Sequence, residues 1–312
     1  MDESKNGQRV GIAALQVYPI KSCAGIAPSE ALLIETGIEF DRAWMVVDAA
    51  GGFVTQRELP RMVLVQPTLK HSEMVLRAPG MLALHVALDR VEAAVRTTVW
   101  NDAVAAFDMG DLCAQWFSDF LGPPPDVAQS NAPSRRADAA GGSGLRLPLR
   151  LVRFDPTQKR LSDARWTGAL EAENAFADGF PLLVASTASL AELNRRLQAQ
   201  RHAPVTMARF RPNLVLDGLD AHGEDALDEI VFATAAGPIR LKLVTPCARC
   251  PIPDVDPVTA ATGHAVRDTL AAYRADARLD GAITFGMNAV IVEGIERVLR
   301  VGMTGHATFR FD

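Results

Sequence analysis

Two cysteines, Cys247 and Cys250, stand in the stretch TPCARCPIPDVDP at residues 245–257. Three chemistries use such a pair. A structural zinc needs four ligands, usually supplied as two pairs. His264 follows at a finger-like distance, but the positions where a second histidine would fall hold Asp268, Thr269 and Leu270. Cys23 and Cys113 are isolated from each other. A redox dithiol wants its first cysteine at a helix N-terminus, whose dipole stabilises the thiolate. Here Pro251 and Pro253 follow directly and donate no backbone N–H, so the stretch is expected to be an extended loop leaving a strand. The third chemistry is a single thiolate on a softer metal, where Arg249 beside Cys250 favours the ionised form. A small buried hydrophobe is as compatible with the spacing as a ligand is.

Other stretches offer donors for an anion. VYPIKSCAG (17–25) places Lys21 and Ser22 in a glycine-ended turn. GIEFDRAWMVVD (37–48) puts Arg42 beside Asp41 at a strand entrance, and ARFRPNLVLD (208–217) carries Arg209, Arg211 and Asn213 around a proline. The start of a helix over 186–200 adds Ser186, Thr187 and free backbone amides. Each alone is more often a solvated charge or a turn residue.

These groups must be held by a framework, and the framework reads as β-rich. ALLIE (31–35), AWMVVD (43–48), MVLVQPTL (62–69), LALHVAL (82–88) and AVRTTVW (94–100) are strand-like runs, with a hairpin turn at Asp48–Gly52. DLCAQWFSDFLG (111–122) switches to helical period, with Leu112, Trp116, Phe117, Phe120 and Leu121 as its apolar face. STASLAELNRRLQAQ (186–200) is a second helix, with Ser189 and Glu192 at capping-box spacing and Leu190, Leu193 and Leu197 on one face. RPNLVLDG, IRLKLVT and AVIVEGIERVLRVG read as strands, Arg240 and Lys242 facing outward.

The chain has 312 residues, 48% of them hydrophobic, and a net charge of -5. That length predicts two domains. The expected division is 8–122, a linker rich in Pro, Ala, Ser and Gly over 123–147, and 148–312. The acidic balance gives no footprint for nucleic acid or an anionic membrane. The polar N-terminus MDESKNGQRV and the lack of a long apolar run predict no signal peptide and no membrane span. Four cysteines are too few for a disulfide scaffold, so a cytoplasmic protein with reduced thiols is expected.

Taken in order, YPIKSCAG, DRAWMVVD, TQRELPRM, FADGFPLLVASTASLAELNRRL, RFRPNLVLDG, PCARCPIPDVDP and FGMNAVIVEGIERVLRVG resemble the MOSC-domain proteins that carry an N-terminal MOSC β-barrel domain, among them the amidoxime-reducing components. The matching pieces span nearly the whole chain outside 123–147. The resemblance implies a mixed, β-rich α+β fold: an N-terminal β-barrel-like domain followed by a MOSC β-barrel domain with packed helices. It implies a molybdenum cofactor (Mo-molybdopterin), with Cys250 as the catalytic metal ligand and Cys247 as a bystander. Lys21, Ser22, Arg42 and Arg211 match positions that hold the cofactor's anionic and polar groups. Ser186, Thr187, Asn213, Arg249 and Asn288 are implied as neighbours.

The activity implied is reduction of small N-hydroxylated or related N-oxygenated compounds, with electrons from a separate flavin or iron–sulfur protein. The rival reading is a carrier or sulfur-transfer protein for the cofactor without turnover of its own. The chain departs from the family after Cys250, where amidoxime-reducing members read Ile-Leu-Thr-Thr-Val-Asp-Pro and this sequence reads Pro251-Ile-Pro-Asp-Val-Asp-Pro257. Asp254 and Asp256, close by in sequence, are either proton carriers or turn formers.

Overall fold

A computed structural model describes residues 7–122 and 146–310. The linker expected over 123–147 lies outside the described residues, apart from its last two positions. The chain divides into two compact units that interleave along the sequence. One comprises Met1–Pro19, Gly25–Arg42 and Lys159–Asp312; the other comprises Ile20–Ala24 and Ala43–Gln158.

The first unit is built on a closed barrel. Seven strands follow one another around it: Leu182–Ser186, Leu214–Asp217, Gln8–Leu15, Thr304–Phe309, Leu227–Phe232, Ile239–Ala248 and Ala282–Glu293. The last pairs back onto the first through Leu182 opposite Ala289 and Val184 opposite Met287, which closes the ring and leaves no barrel edge unpaired. Inward residues alternate with outward ones, so Val10, Ile12, Leu15, Leu214, Leu216, Ile230, Leu241, Leu243 and Ala307 fill one dry interior.

Leu182–Ser186 and Leu214–Asp217 run parallel, and a parallel pair needs a crossover. The helix Thr187–Ala199 supplies it. Its Leu193 and Leu197 are fully buried against Phe210, Val266, Leu270 and Phe285, while Leu190 is partly buried at the same cluster. Truncating either fully buried leucine to alanine would cost about 2–5 kcal/mol. The N-cap is Ser186, whose side chain accepts from the Ser189 N–H. The capping pair expected at Ser189 and Glu192 therefore lies one turn too late, and Glu192 instead pairs with Arg195 and Arg196.

The second unit holds a four-stranded sheet in the order Trp44–Val47, Arg150–Phe154, Asp102–Asp108, Ala94–Val99, and a meander of Gln66–Leu69, Glu73–Arg77 and Leu84–Ala87. Its helix Asp111–Leu121 buries Cys113, Trp116, Phe117, Phe120 and Leu121. Leu112, expected on that face, is 72% exposed, because the buried stripe begins at Cys113. The run expected as one strand at 62–69 is broken by Pro60: a 3-10 turn covers Pro60–Leu64 before the strand starts. The Asp48–Gly52 turn forms as expected, with Asp48 Oδ1 accepting from the Ala50 and Gly52 amides. No helix among the described residues is long and apolar enough to cross a membrane.

Candidate cofactor site

The strand Ile239–Ala248 carries the cysteine pair out of the barrel. Its burial alternates over Ile239–Leu243, across a register shift between Arg240 and Leu241, and beyond lie two further irregularities, between Leu243 and Thr245 and between Pro246 and Ala248. Such irregularities bend a strand and re-aim its side chains. Cys247 sits within the last one. Beyond it, the Arg249 amide donates to the Ile283 carbonyl at 2.8 Å, and after Cys250 the chain folds into a short turn at Ile252–Asp254. Both cysteines are free and half-buried. Burial pushes the Cys247 thiol above its ordinary value, although Arg249 pulls the other way.

Arg249 connects this loop to its surroundings. Its Nη1 donates to Cys247 Sγ at 3.1 Å and its Nη2 to the Phe210 carbonyl at 2.9 Å. Its Nε is buried with no hydrogen-bond partner among the described residues.

Phe210 leads directly into a group of charged side chains around Tyr18. The Arg42 guanidinium lies 4.4 Å and that of Arg211 4.1 Å from the Tyr18 ring centroid. Arg42 Nη1 donates to Asp41 Oδ2 at 2.5 Å, its Nη2 donates to the Arg211 carbonyl at 3.0 Å, and its amide donates to the Tyr18 carbonyl at 2.8 Å. Asp41 Oδ1 accepts from the Tyr18 amide at 2.8 Å. Burial pushes the Tyr18 phenol up to about 12, with Arg211, Arg42 and Arg249 opposing that shift and Asp41 adding to it. Among the described residues, the charges acting on this phenol are three guanidiniums and one carboxylate. Arg42 and Arg211 both hold left-handed backbone, with φ of 49° and 58°. Non-glycine residues pay for that conformation, and strain of this kind concentrates at binding sites.

The remaining candidates fall into different places. Lys21 and Ser22 belong to the other unit. There Lys21 is 6% exposed with its ammonium 5.8 Å from the Phe53 ring centroid, and Ser22 has φ of 70°. Asn213 ties strands together, its Oδ1 accepting from the Leu183 amide and its Nδ2 donating to the Gln16 carbonyl. Asn288 lies opposite Thr245 and Leu183 in the barrel wall, with Nδ2 3.5 Å from the Pro246 carbonyl.

The helix start expected to hold a phosphate already holds an anion of the chain's own. The Ser186 amide and the Ser189 hydroxyl donate to the Glu224 carboxylate, at 3.2 Å and at 2.6 and 2.8 Å. Ser186 is fully buried and its side chain caps the helix; Thr187 is exposed on the first turn.

Arg209 points into the cysteine loop, where it pairs with Asp256 at 2.8 Å and donates to the Pro253 carbonyl. Asp256 also accepts from the Val258 and Thr259 amides, which makes it a turn former. Asp254 is buried, accepts from the Arg267 amide, and has its carboxyl raised by burial. Among the described residues no three His, Cys, Asp or Glu side chains group as a metal site.

Tyr18 and Glu224 are the residues that sequence reasoning passed over. Tyr18 carried one signal, an aromatic ring beside the Lys21–Ser22 turn. Glu224 carried none, since its partners are more than thirty residues away in sequence.

Comparison with known proteins agrees with this architecture. The sequence matches the MOSC N-terminal beta barrel domain over residues 10–124 and the MOSC domain over residues 171–304. It is 31% identical to the human mitochondrial amidoxime-reducing component 1 over 277 residues, covering 86% of this chain and 73% of that protein. It is 33% identical to the mitochondrial amidoxime reducing component 2 of Bos taurus, with the same coverage. The human molybdenum cofactor sulfurase is 27% identical over 88% of this chain, which spans 29% of that longer protein. With both domains matched in order and relatives above 30% identity along most of either sequence, the chain belongs to the family of MOSC-domain proteins with an N-terminal MOSC β-barrel domain that includes the amidoxime-reducing components.

Proposed function

We propose that this protein binds a molybdenum cofactor and uses it to reduce small N-hydroxylated or related N-oxygenated compounds, with electrons from a separate flavin or iron–sulfur protein. One observation carries the reading: Arg249 joins the cysteine loop to the guanidinium group around Tyr18, through Cys247 Sγ and the carbonyl of the residue before Arg211. A free thiol and a cluster of cationic donors therefore stand within one connected network.

The residues fit an anionic cofactor. Guanidiniums present only donors, and their planar forks suit phosphate oxygens. The Arg249 Nε and the Tyr18 hydroxyl add two further buried donors that have no acceptor among the described residues. Cys250 would supply the one protein thiolate to the metal, and Arg42, Arg211 and Arg249 would hold and orient the anionic groups. When bound, the cofactor supplies two-electron redox chemistry and exchange of an oxygen ligand. The chain's own part is to fix that group through charge-assisted hydrogen bonds and to shape the wall beside it. Lys21 and Ser22 enter this proposal on their sequence match alone. Pro251–Asp254 shape the wall, and the short turn at Ile252–Asp254 makes it stiff.

Two variants test the assignment. Protein from a molybdopterin-competent host is expected to carry about one molybdenum and one pterin per chain. Cys250→Ser should lose metal coordination and activity, whereas Cys247→Ser should largely keep both. Equal loss in the two would favour a dithiol site. The similarity to a molybdenum cofactor sulfurase supports a second reading, a carrier without turnover. Loaded protein that transfers its cofactor to an apo-enzyme, yet reduces no N-oxygenated substrate with any reduced donor, would establish the carrier.

A further inference from the structure

Building on the cofactor reading, we infer that Tyr18 is a further binding residue of the anion cradle: its ring sets the Arg42 and Arg211 guanidiniums, and its hydroxyl donates to the anion they hold.

Tyr18 is fixed on several sides. Its amide donates to Asp41 and its carbonyl accepts from Arg42. Against its ring edge lies Gly25, where an added Cβ would come within 2.5 Å of Tyr18 Cε1. Only glycine leaves the ring room to lie there. Both guanidiniums rest over that ring, at 4.4 and 4.1 Å from its centroid. An aromatic face attracts a guanidinium and limits where it can swing, so the ring helps to position both cations.

The hydroxyl completes the argument. It is buried, on a residue only 1% exposed, and has no hydrogen-bond partner among the described residues. The cations that act on it are donors and cannot accept its proton. Arg42, Arg211 and Arg249 present only N–H groups. Both oxygens of Asp41 are already engaged, by the Tyr18 amide and by Arg42. Burying a hydroxyl without a partner is unfavourable and needs an explanation. The group that answers it is rich in acceptors and negatively charged, an oxyanion of the size of a phosphate monoester.

Wild type, Tyr18→Phe and Tyr18→Leu are compared in two assays on the full chain. The first follows melting of cofactor-free protein in inorganic phosphate against chloride at equal ionic strength. The second follows pterin retained per folded chain during dilution of loaded protein. Tyr18→Phe keeps the ring and sheds the orphaned hydroxyl, so in chloride it should melt at or above wild type. Its phosphate-induced shift should shrink, and pterin should leave about three- to tenfold more readily, the value of one hydrogen bond. Tyr18→Leu should lose the phosphate shift and release pterin faster still. A merely structural tyrosine would lower melting in both variants and leave retention per folded chain unchanged. That result overturns the inference, as does a phosphate shift that is absent in wild type or equal in all three chains. If the phosphate shifts separate the three chains but wild type carries no pterin, the cradle stands and the molybdenum reading falls.

Discussion

Arg211 allows backbone strain and ligand binding to be separated at one position. Its guanidinium is held from a backbone at φ 58°, a region that costs an L-residue about 1–2 kcal/mol. Arg211→Ala removes the guanidinium and keeps the strain. Arg211→Gly removes both, since glycine adopts positive φ freely. Cofactor-free Arg211→Gly should therefore be more stable than Arg211→Ala by about 1 kcal/mol, a rise in melting temperature of roughly 2–4 °C. Both variants lose the same donor to the anion. A charge-assisted hydrogen bond contributes about 1.5–3 kcal/mol, so both should retain pterin about ten- to a hundredfold less well than wild type. Calorimetry of cofactor-free protein gives the first quantity, and fluorescence of the oxidised pterin after stepwise dilution gives the second. Equal melting of the two variants would refute the claim of stored strain. Full retention in both would show that Arg211 is an ordinary charge and that the cradle is misplaced.

Two more expectations concern the buried carboxylate and electron supply. Burial holds the Glu224 carboxyl above its ordinary value, against the opposing hydrogen bonds from Ser189 and Ser186. As pH falls the folded chain therefore takes up this proton before the unfolded chain does. Wild-type stability relative to Glu224→Gln should rise as pH drops through the folded value and level off below the unfolded one, about 4.3. Denaturant titrations at a series of pH values would show this, and parallel curves for the two chains would contradict it. The sequence carries no Gly-x-Gly-x-x-Gly dinucleotide fingerprint, no iron–sulfur cysteine set and no haem-attachment motif. NADH or NADPH alone should then drive no reduction of benzamidoxime, while a reduced viologen dye or a reductase from the same cell should; turnover with NADH alone would refute the separate-donor reading.

Much of the framework was readable from local pattern. The alternation in Ile239–Leu243, the leucine face of the Thr187–Ala199 helix and the Asp48 turn are properties of neighbours in sequence, and each is found. The β-rich class followed from the same signals. What the sequence hid is long-range or conformational. Gln8–Leu15 is hydrogen-bonded to strands some two hundred and three hundred residues away, and no local pattern names those partners. Ser186 rather than Ser189 caps its helix, a difference fixed by where the preceding strand ends. Glu224 fills the helix start that was expected to hold a ligand, and no spacing rule links it to Ser186. Arg42 and Arg211 were visible as candidates, but their left-handed backbones were not, since no glycine or asparagine marks them.

The seating of Gln8–Leu15 between Leu214–Asp217 and Thr304–Phe309 bears on how the chain is made. A ribosome releases the first of these strands long before either neighbour exists. Its Val10, Ile12 and Leu15, all buried in the finished barrel, must wait until both partner strands have been made. The ring can shut only once Thr304–Phe309 has emerged, with Gly11 registering against Thr304. Closure then awaits that late strand and is dominated by contacts of very large sequence separation, which are slow to form. During that interval the nascent barrel presents open strand edges of the kind that aggregate or recruit chaperones.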